Sequence, residues 1–273
     1  SSLKTQDNCQ SPTDQGPLDR HRITRHRVVV RYPRRMRFFG QTAEQVFHDG
    51  AYLRHNARRQ EHLATLGLDL ADKSVLEVGA GIGDHTTFFL DRGCKVHCTE
   101  PREDNLKVIR RRFKSDPNVT VERLNLDGVL PAAAPSYDVV YCYGVLYHLS
   151  RPAEALAWLC ERATDLLLLE TCVSFSDEDK HFPVSEKSSN HSQATTGTGC
   201  RPSRVWVMNR MKETMPQVYV TAMQPWHEQF PLDWTAGGSG HSPGLSRVVF
   251  VGSRTPLNLP TLVEEVPMVQ RRC

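Results

Sequence analysis

The chain has 273 residues, of which 39% are hydrophobic and 24% are charged, and its formal net charge at pH 7 is +3. These values are typical of a soluble globular protein, and the length suits one large α/β domain with appendages or two small domains. No apolar run approaches the ~20 residues that span a bilayer, so we expect no membrane segment.

The first two segments of the chain are polar and then strongly basic. Residues 1–19 have no hydrophobic pattern and are predicted to be disordered. Residues 20–37 contain eight arginines and no acidic residue, so their formal charge is +8. Because the whole chain has a charge of +3, the rest of the chain has a charge of −5. This basic segment is either an arm for nucleic acid or an acidic partner, or a solvated edge segment in which Val28, Val29 and Val30 pack.

From residue 56 onward, apolar runs of strand length alternate with amphipathic stretches of helix length. The predicted strands are 74–80, 94–100, 119–126, 137–144 and 165–171, and the predicted helices are 55–68, 84–90, 102–114 and 151–163. This alternation predicts an α/β fold with a parallel, doubly wound, Rossmann-like sheet.

The pattern changes after the fifth predicted strand. A long polar stretch is followed by a predicted helix over 201–215 and two late strands over 217–224 and 246–253, which bring the sheet to seven strands. Loops as long as the polar stretch are usually functional lids or disordered.

These patterns divide the chain into four parts. We expect a disordered tail over 1–19, a basic arm and cap helix over 20–70, a main domain over 71–253 with its insertion at 173–199, and a C-terminal tail over 254–273.

Eight cysteines are present, and no two of them form a C-x-x-C pair. Several lie inside apolar runs, which favours reduced, buried thiols in a cytoplasmic protein over a disulfide framework. Cys94 and Cys98 flank one predicted strand without a second pair of ligands, so we expect no metal site.

A glycine-rich turn lies between the first predicted strand and the helix after it. A dinucleotide fingerprint would read G-x-G-x-x-G, but here the glycines are Gly79, Gly81 and Gly83, and Asp84 stands at the fingerprint's last position. Asp84 and the nearby Glu77 would repel a diphosphate, whereas a ligand with an ammonium and a sulfonium would tolerate both. Glu100, at the end of the second predicted strand, is able to accept hydrogen bonds from both ribose hydroxyls.

Four ordered motifs carry a resemblance to a known family: "VLEVGAGIG", "CTEP", "LNLD" and "YDVVYCYGVLYHL". In order and spacing they resemble the motifs of class I S-adenosylmethionine-dependent methyltransferases, over roughly residues 73–170. The late strand pair resembles the closing antiparallel hairpin of that family. The resemblance implies methyl transfer, with S-adenosyl-L-methionine as the cofactor.

The resemblance also implies roles for particular residues. The glycine loop would approach the methionine and ribose of the cofactor, Glu100 would hold the ribose diol, Leu126 or Asp127 would face the adenine, and the fourth strand would line the methionine. The cofactor-binding residues expected on this basis are Glu77, Gly79, Ala80, Gly81, Gly83, Glu100, Leu126, Asp127, Cys142 and Tyr143.

Some of these assignments have plain structural alternatives. Glu77 either contacts the ligand or ties the loop backbone together. Tyr52, His55 and Arg59 either cap the cofactor, as a helix before the first strand often does in that family, or are surface residues of an amphipathic helix.

A second resemblance is partial. The "GVLYH" motif, the later "LLLET", the insertion and the "QPWHEQ…DW" stretch are similar to the bacterial tRNA wobble-uridine carboxymethyltransferase family. That family uses a carboxylated form of the cofactor, recognised in part by residues upstream of the glycine loop. Because we place no such upstream residues in this chain, ordinary S-adenosylmethionine remains the expected cofactor.

The segment that follows the fourth predicted strand contains two candidates for catalysis. His148 lies at the sheet edge where ligands of such folds bind, and it titrates near neutrality, which suits a general base. Its alternative role is to shape the loop by hydrogen bonding. Tyr147 would shield the sulfonium by a cation–π contact or would simply pack against the next helix.

Substrate contacts are expected from outside the shared core. Arg201 and Arg204, at the start of a predicted helix, would bind an acceptor anion or pair with acids such as Glu170 or Glu186. Trp226, His227 and Trp234 would wall an acceptor pocket, although tryptophan is more often buried. Two residues of the insertion would complete a lid, namely Asn190 and His191.

Three functions fit these patterns. The leading one is methyl transfer to an oxygen or nitrogen of a small or medium acceptor, favoured by the charge of −5 outside residues 20–37. The second is RNA modification with the basic segment as a backbone-binding arm. The third is a scaffold that binds the cofactor without turnover.

Overall fold

The computed structural model describes residues 41–188, 192–235 and 245–273. The predicted disordered tail, the basic segment 20–37, Asn190 and His191 lie outside these ranges. Within them the helices are α1 Ala43–Phe47, α2 Gly50–Thr65, α3 Thr86–Leu90, α4 Glu103–Arg112, α5 Pro152–Arg162 and α6 Arg204–Lys212, with a 3-10 turn at Leu146–His148.

The strands include each one predicted from the sequence and several short additions. They are β1 Ser74–Val78, β2 Lys95–Glu100, β3 Val119–Arg123, β4 Tyr137–Tyr143, β5 Ala163–Cys172, β6 His181–Ser185, β7 Thr198–Pro202, β8 Gln217–Thr221, β9 Met223–Gln224, β10 Arg247–Ser253, β11 Leu262–Val263 and β12 Arg271–Arg272.

The main sheet has the order β11-β8-β10-β5-β4-β1-β2-β3. The five strands β1 to β5 are parallel, whereas β10 runs antiparallel to both β5 and β8. The expected count of seven needs correction to eight, because Leu262 and Val263 pair with the outer edge of β8. The late strands β8 and β10 are antiparallel neighbours, and residues 222–246 separate them along the chain.

Helices cover both faces of the sheet, as the doubly wound pattern predicts. Leu76 and Val140 point into the core cluster that contains α5 and α6, whereas Val75 and Val139 point into the cluster that contains residues of α2, α3 and α4. Because both faces are buried, the central strands are apolar at successive positions instead of alternating with polar residues.

The insertion 173–199 forms an ordered hairpin in its described part. The strands β6 and β7 pair antiparallel, and β7 packs on the 3-10 turn, where the Cys200 thiol donates to the carbonyl of Leu146. The strand continues to Pro202, so α6 begins later than predicted, at Arg204. Its N-cap is Ser203, whose hydroxyl accepts from the amide of Trp206 at 3.0 Å.

Residues 254–273, expected to be a tail, pack against the domain. Besides β11, this segment supplies β12, which pairs with β9. The Gln270 Oε1 accepts from the Trp234 indole at 2.8 Å and from the Gln224 amide at 3.0 Å. The sequence missed this packing because short strands and buried amide contacts leave no periodic pattern.

None of the helices in the described ranges is long and apolar enough to cross a membrane.

Candidate active site

A cleft lies at the carboxyl ends of the central strands, which is where α/β sheets of this kind bind ligands. The space within it, including its opening to solvent, is about 680 Å³. The walls come from the ends of β1, β2 and β4, the turn after β3, and the helices α1 and α2. The lining residues used below are Phe47, Tyr52, Val78, Gly79, Gly81, Glu100, Arg102, Asn125, Leu126, Tyr143, His148 and Ala194.

The glycine loop bends through three left-handed residues. Gly79, Gly81 and Gly83 have φ values of 67°, 60° and 80°, which side chains rarely adopt. A Cβ on Gly81 would lie 2.7 Å from the Phe47 ring, and one on Gly83 would lie 2.7 Å from the Phe113 ring. Gly79 and Gly81 line the cleft, whereas Gly83 allows the loop to approach the end of α4.

Glu100 faces the cleft and also holds the glycine loop in place. Its Oε2 accepts from the amide of Gly81 at 3.0 Å, and its Oε1 accepts from the Arg102 amide and the Asn105 side chain. Burial raises the pKa of Glu100 to about 7, against the lowering effect of these hydrogen bonds. A ligand that donates to this carboxylate would stabilise its charged form.

Glu77 lines a second pocket of about 350 Å³ beside the glycine loop, and its side chain bonds to residues of α3 and β2 instead of to the loop backbone as the alternative role required. Its Oε2 accepts from the Thr86 hydroxyl at 2.6 Å and from the Cys98 thiol at 3.5 Å. Burial raises the pKa of Glu77 to about 7. Asp84 lines the same pocket and pairs with Arg112 at 2.6 Å.

Several buried polar atoms around this second pocket have no hydrogen-bond partner within the described residues. They are Arg59 Nε, Asp84 Oδ2, His85 Nε2 and the Tyr143 hydroxyl. Buried polar groups are normally paired, so four unpaired ones around one pocket indicate a site for a polar ligand. Tyr52 and Arg59 from α2 also line this pocket, and their role as a cap over a ligand stays a prediction.

The side chain of Glu170 lies between two buried arginines. Arg59 Nη2 is 2.5 Å from Glu170 Oε2, and Arg247 Nη1 is 2.9 Å from Glu170 Oε1. Burial alone would raise the pKa of Glu170, but Arg247 and Arg59 outweigh it and hold this pKa below its usual value. Two guanidiniums against one carboxylate leave a surplus positive charge in the interior.

Tyr147 belongs to this buried group, which corrects its expected place beside the sulfonium. Its hydroxyl accepts from Arg247 Nη2 at 2.9 Å, and the Arg247 and Arg201 guanidiniums lie 4.8 and 5.1 Å from its ring centroid. The cations that contact its ring are therefore arginines of the protein itself.

His148 lines the cleft, and its Nδ1 lies 2.5 Å from Glu186 Oε2. Burial lowers the pKa of His148 below its usual value, although Glu186 acts in the opposite direction. The imidazole is therefore neutral at pH 7, the form in which one ring nitrogen is able to accept a proton.

Two expected cofactor contacts need correction. Cys142 is fully buried in the core cluster that contains Leu146, because strand alternation turns Tyr141 and Tyr143 toward the pockets instead. Asp127 points away from the cleft, and its Oδ1 accepts from the Ser150 amide at 2.8 Å. The described cleft residues beside it are Leu126, as expected, and Asn125.

The two arginines expected to bind an acceptor anion have structural partners. Arg201 lies on β7 and not on a helix, with its Nη1 3.6 Å from Glu186 Oε1. Arg204 is 3% exposed, donates to the carbonyl of Pro267 at 2.5 Å and stacks over the Trp234 ring at 4.2 Å. These contacts match the ion-pair alternative for Arg201 and show Arg204 holding the C-terminal segment.

The expected aromatic wall is dispersed. Trp226 is 59% exposed and donates to the Cys273 carbonyl, whereas Trp234 is buried. His227 is buried against His55, with their ring centroids 4.6 Å apart. Neither Trp226 nor His227 lines the cleft, and His55 contacts His227 instead of acting as a cap.

No cluster of three or more metal-ligating side chains occurs in the part of the chain that the structure describes.

The sequence analysis gave no site role to several residues that the structure places at or near the cleft. Glu170 and Glu186 appeared only as ion-pair partners, and Phe47, Asn125 and Arg247 had no role. Only their closeness to the site in the folded chain marks these residues, and a single sequence does not show which distant segments come together.

Comparisons with known proteins agree with this architecture. Residues 76–165 match the family model described as a methyltransferase domain. The tRNA U34 carboxymethyltransferase of Actinobacillus pleuropneumoniae serotype 3 is 31% identical over 122 residues, which are 42% of this chain and 36% of the relative. That of Methylococcus capsulatus is 37% identical over 111 residues, 38% of this chain and 33% of the relative. The chain thus spans about a third of the length of these curated relatives.

Two solved structures share the fold. The N-terminal domain of EvdMO1, crystallised with SAH and D-fucose, has a TM-score of 0.56 at 19% identity and covers 76% of this chain and 84% of its own. An S-adenosylmethionine-dependent methyltransferase from Mesorhizobium loti has a TM-score of 0.52 at 14% identity. The match covers 74% of this chain and 100% of the Mesorhizobium loti chain. The family match over residues 76–165, the sheet order and the glycine loop agree that this part of the chain has the fold of a methyltransferase domain.

Proposed function

We propose that the cleft binds S-adenosylmethionine and that the protein transfers its methyl group to an oxygen or nitrogen of a small acceptor. The observation that carries this proposal is one cleft in which the glycine loop, Glu100 and His148 all face the same space. The bound cofactor would supply a methyl carbon activated by a positive sulfur.

The residues around the cleft suit each part of that cofactor. Gly79 and Gly81 let the backbone approach the methionine and ribose, and Glu100 would accept from the two ribose hydroxyls. Leu126 offers an apolar surface to the adenine. The carboxylates Glu77 and Asp84 in the adjoining pocket suit the ammonium of the methionine.

His148 is the proposed general base. Methyl transfer to a hydroxyl or amine releases a proton from the acceptor, and a positioned base accelerates such a step by about 10²–10⁴-fold. The neutral imidazole of His148 is able to take that proton, because burial lowers its pKa and so favours the neutral form. Most of the remaining acceleration would come from holding the acceptor close to the methyl carbon.

The surplus positive charge around Glu170 supports an anionic group in the bound complex. Arg59 lines the pocket beside the glycine loop and has an unpaired Nε within the described residues. The anion would be either the carboxylate of the acceptor or that of the cofactor's methionine. Arg59→Gln distinguishes them: a cofactor contact weakens SAH binding, whereas an acceptor contact leaves SAH affinity unchanged and raises the acceptor's KM.

RNA modification is the second candidate, supported by the named activity of the tRNA-modifying relatives. The basic segment 20–37 would then bind the phosphate backbone, and the affinity for RNA would fall steeply with salt. The charge of −5 outside that segment favours the small acceptor. A scaffold without turnover is the third candidate.

The test uses S-adenosylmethionine with a labelled methyl group, incubated separately with a small-molecule extract and with total tRNA. We expect label in a small molecule with the wild type and less label with Glu100→Ala at a cofactor concentration near the wild-type Kd. Label in tRNA would support the second candidate, and SAH binding without transfer to either fraction would support the scaffold. Failure of the wild type to bind SAH by calorimetry would overturn the proposal.

A further inference from the structure

The hairpin of β6 and β7 brings a carboxylate to the proposed base. Glu186 directly follows β6, and its side chain is only 6% exposed. Its Oε2 accepts from His148 Nδ1 at 2.5 Å and from the amide of Ala194 at 2.8 Å. Ala194 itself lines the cleft. The same carboxylate oxygen thus accepts hydrogen bonds from the imidazole and from the backbone of a residue that lines the cleft.

This contact fixes which ring nitrogen of His148 carries the proton. An ionised carboxylate only accepts hydrogen bonds, so the nitrogen that faces Glu186 must be the N–H donor. In a neutral imidazole the other nitrogen, Nε2, then holds the free lone pair. A general base needs that lone pair, and a histidine without a fixed partner would divide its population between the two tautomers.

We propose that Glu186 is the positioning residue of the reaction: it holds His148 with Nδ1 protonated and keeps Nε2 free to take the acceptor's proton. This inference rests on the proposed function, because it assigns Glu186 a role through His148. Glu186 does not touch the acceptor.

The charged groups around His148 are consistent with this arrangement. Burial lowers the pKa of His148, Glu186 raises it, and Arg247 and Arg201 lower it further. Burial acts to raise the pKa of Glu186, but the contacts with His148, Ala194 and Arg201 hold it below its usual value. At pH 7 the pair is therefore an ionised carboxylate and a neutral imidazole.

The first experiment is a ¹⁵N NMR measurement of the His148 tautomer in the SAH-loaded protein. We expect Nδ1–H in the wild type and a mixture of tautomers in Glu186→Gln, because an amide can donate as well as accept. The pKa of His148 should also fall in this variant, since the carboxylate that raises it is gone. Glu178→Gln is the matched control, because Glu178 lies on the same segment but is 64% exposed.

The second experiment tests whether Glu186 keeps the reactive lone pair on Nε2 of His148. Diethyl pyrocarbonate acylates an unprotonated imidazole nitrogen, and mass spectrometry follows the peptide that contains His148. In Glu186→Gln the acylation rate should fall at least about twofold, because fewer molecules carry the lone pair on Nε2. Glu178→Gln should react like the wild type.

The outcomes separate this inference from the proposed function. An Nε2–H tautomer in the wild type, or an unchanged tautomer and acylation rate in Glu186→Gln, would overturn the positioning role even if SAH binds normally. Loss of SAH binding by the wild type would instead overturn the proposed function. Normal SAH affinity in Glu186→Gln together with the tautomer shift would support the role assigned here.

Discussion

The two ends of the cleft are built in different ways. The cofactor end, which we define as Gly79, Gly81, Glu100 and Leu126, comes from the ends of parallel strands and the segments that follow them, within one continuous stretch of chain. We define the acceptor end as the side of the cleft lined by His148, together with four buried charged residues that do not line the cleft themselves. These are Arg59, Glu170, Glu186 and Arg247, on α2, on β5, in the loop after β6 and on β10. The cofactor end therefore depends on local backbone geometry, and the acceptor end on buried charges brought together from distant segments.

The largest expected effect is at the acceptor end. Replacing Glu170 with Ala would leave Arg59 and Arg247 buried without their carboxylate, which should lower the free energy of unfolding by about 3–5 kcal/mol. Urea denaturation measures this change. Glu228→Ala is the matched control, because its side chain is 68% exposed where it pairs with Arg54, and it should change stability by less than about 1 kcal/mol. Equal stabilities of the two variants would refute the charge-based account.

At the cofactor end, Gly81→Ala should weaken SAH binding at least about tenfold, or about 1.4 kcal/mol, while the protein stays folded. The φ of 60° is strained for alanine, and its Cβ would displace the Phe47 ring that lines the cleft. Calorimetry measures the affinity and circular dichroism the fold. Gly50→Ala is the control, since a Cβ there meets nothing within 4 Å. An unchanged SAH affinity in folded Gly81→Ala would count against this cofactor site.

Glu100→Ala should weaken SAH binding by about 1–3 kcal/mol, because the ribose hydroxyls would lose a charged acceptor. Wild-type affinity should also fall as pH drops below 7: burial raises the pKa of Glu100 to about 7, so in the free protein it is protonated below that pH and ionised above it. Since SAH favours the ionised form, binding should release a proton. Glu122→Ala, with a 68% exposed side chain, is the control. If Glu100→Ala keeps the full pH dependence, another group such as Glu77 is responsible.

The smallest effect is expected outside both ends. Trp226→Ala removes a side chain that is 59% exposed and contacts the Cys273 carbonyl, so it should change stability by less than about 1 kcal/mol and leave SAH affinity unchanged. Trp234→Ala is the comparison: it empties a buried position and should destabilise the fold by about 3–5 kcal/mol. Weakened SAH binding in Trp226→Ala would show that the 224–234 loop reaches the cleft after all.

The same contrast explains what could be predicted from the sequence. Gly79, Gly81 and Glu100 were found because strand–turn–helix order fixes their place on the sheet edge. Cys142 was expected to face the cofactor, but its neighbours Tyr141 and Tyr143 face the pockets instead. Successive side chains of a strand point to opposite faces, so an error of one residue is sufficient to assign the wrong face. The partners of Arg204 and the approach of Glu186 to His148 depend on how distant segments pack.

The outer edges of the sheet have a consequence for how the protein behaves at high concentration. The strand β11 contains only Leu262 and Val263, and the exposed Glu264 and Glu265 follow it directly. At the other margin, β3 exposes Glu122 and Arg123. A short strand and charged side chains give a second molecule little free backbone to pair with. We therefore expect these margins to resist strand-by-strand growth into fibrils, even though the strands between them are strongly apolar.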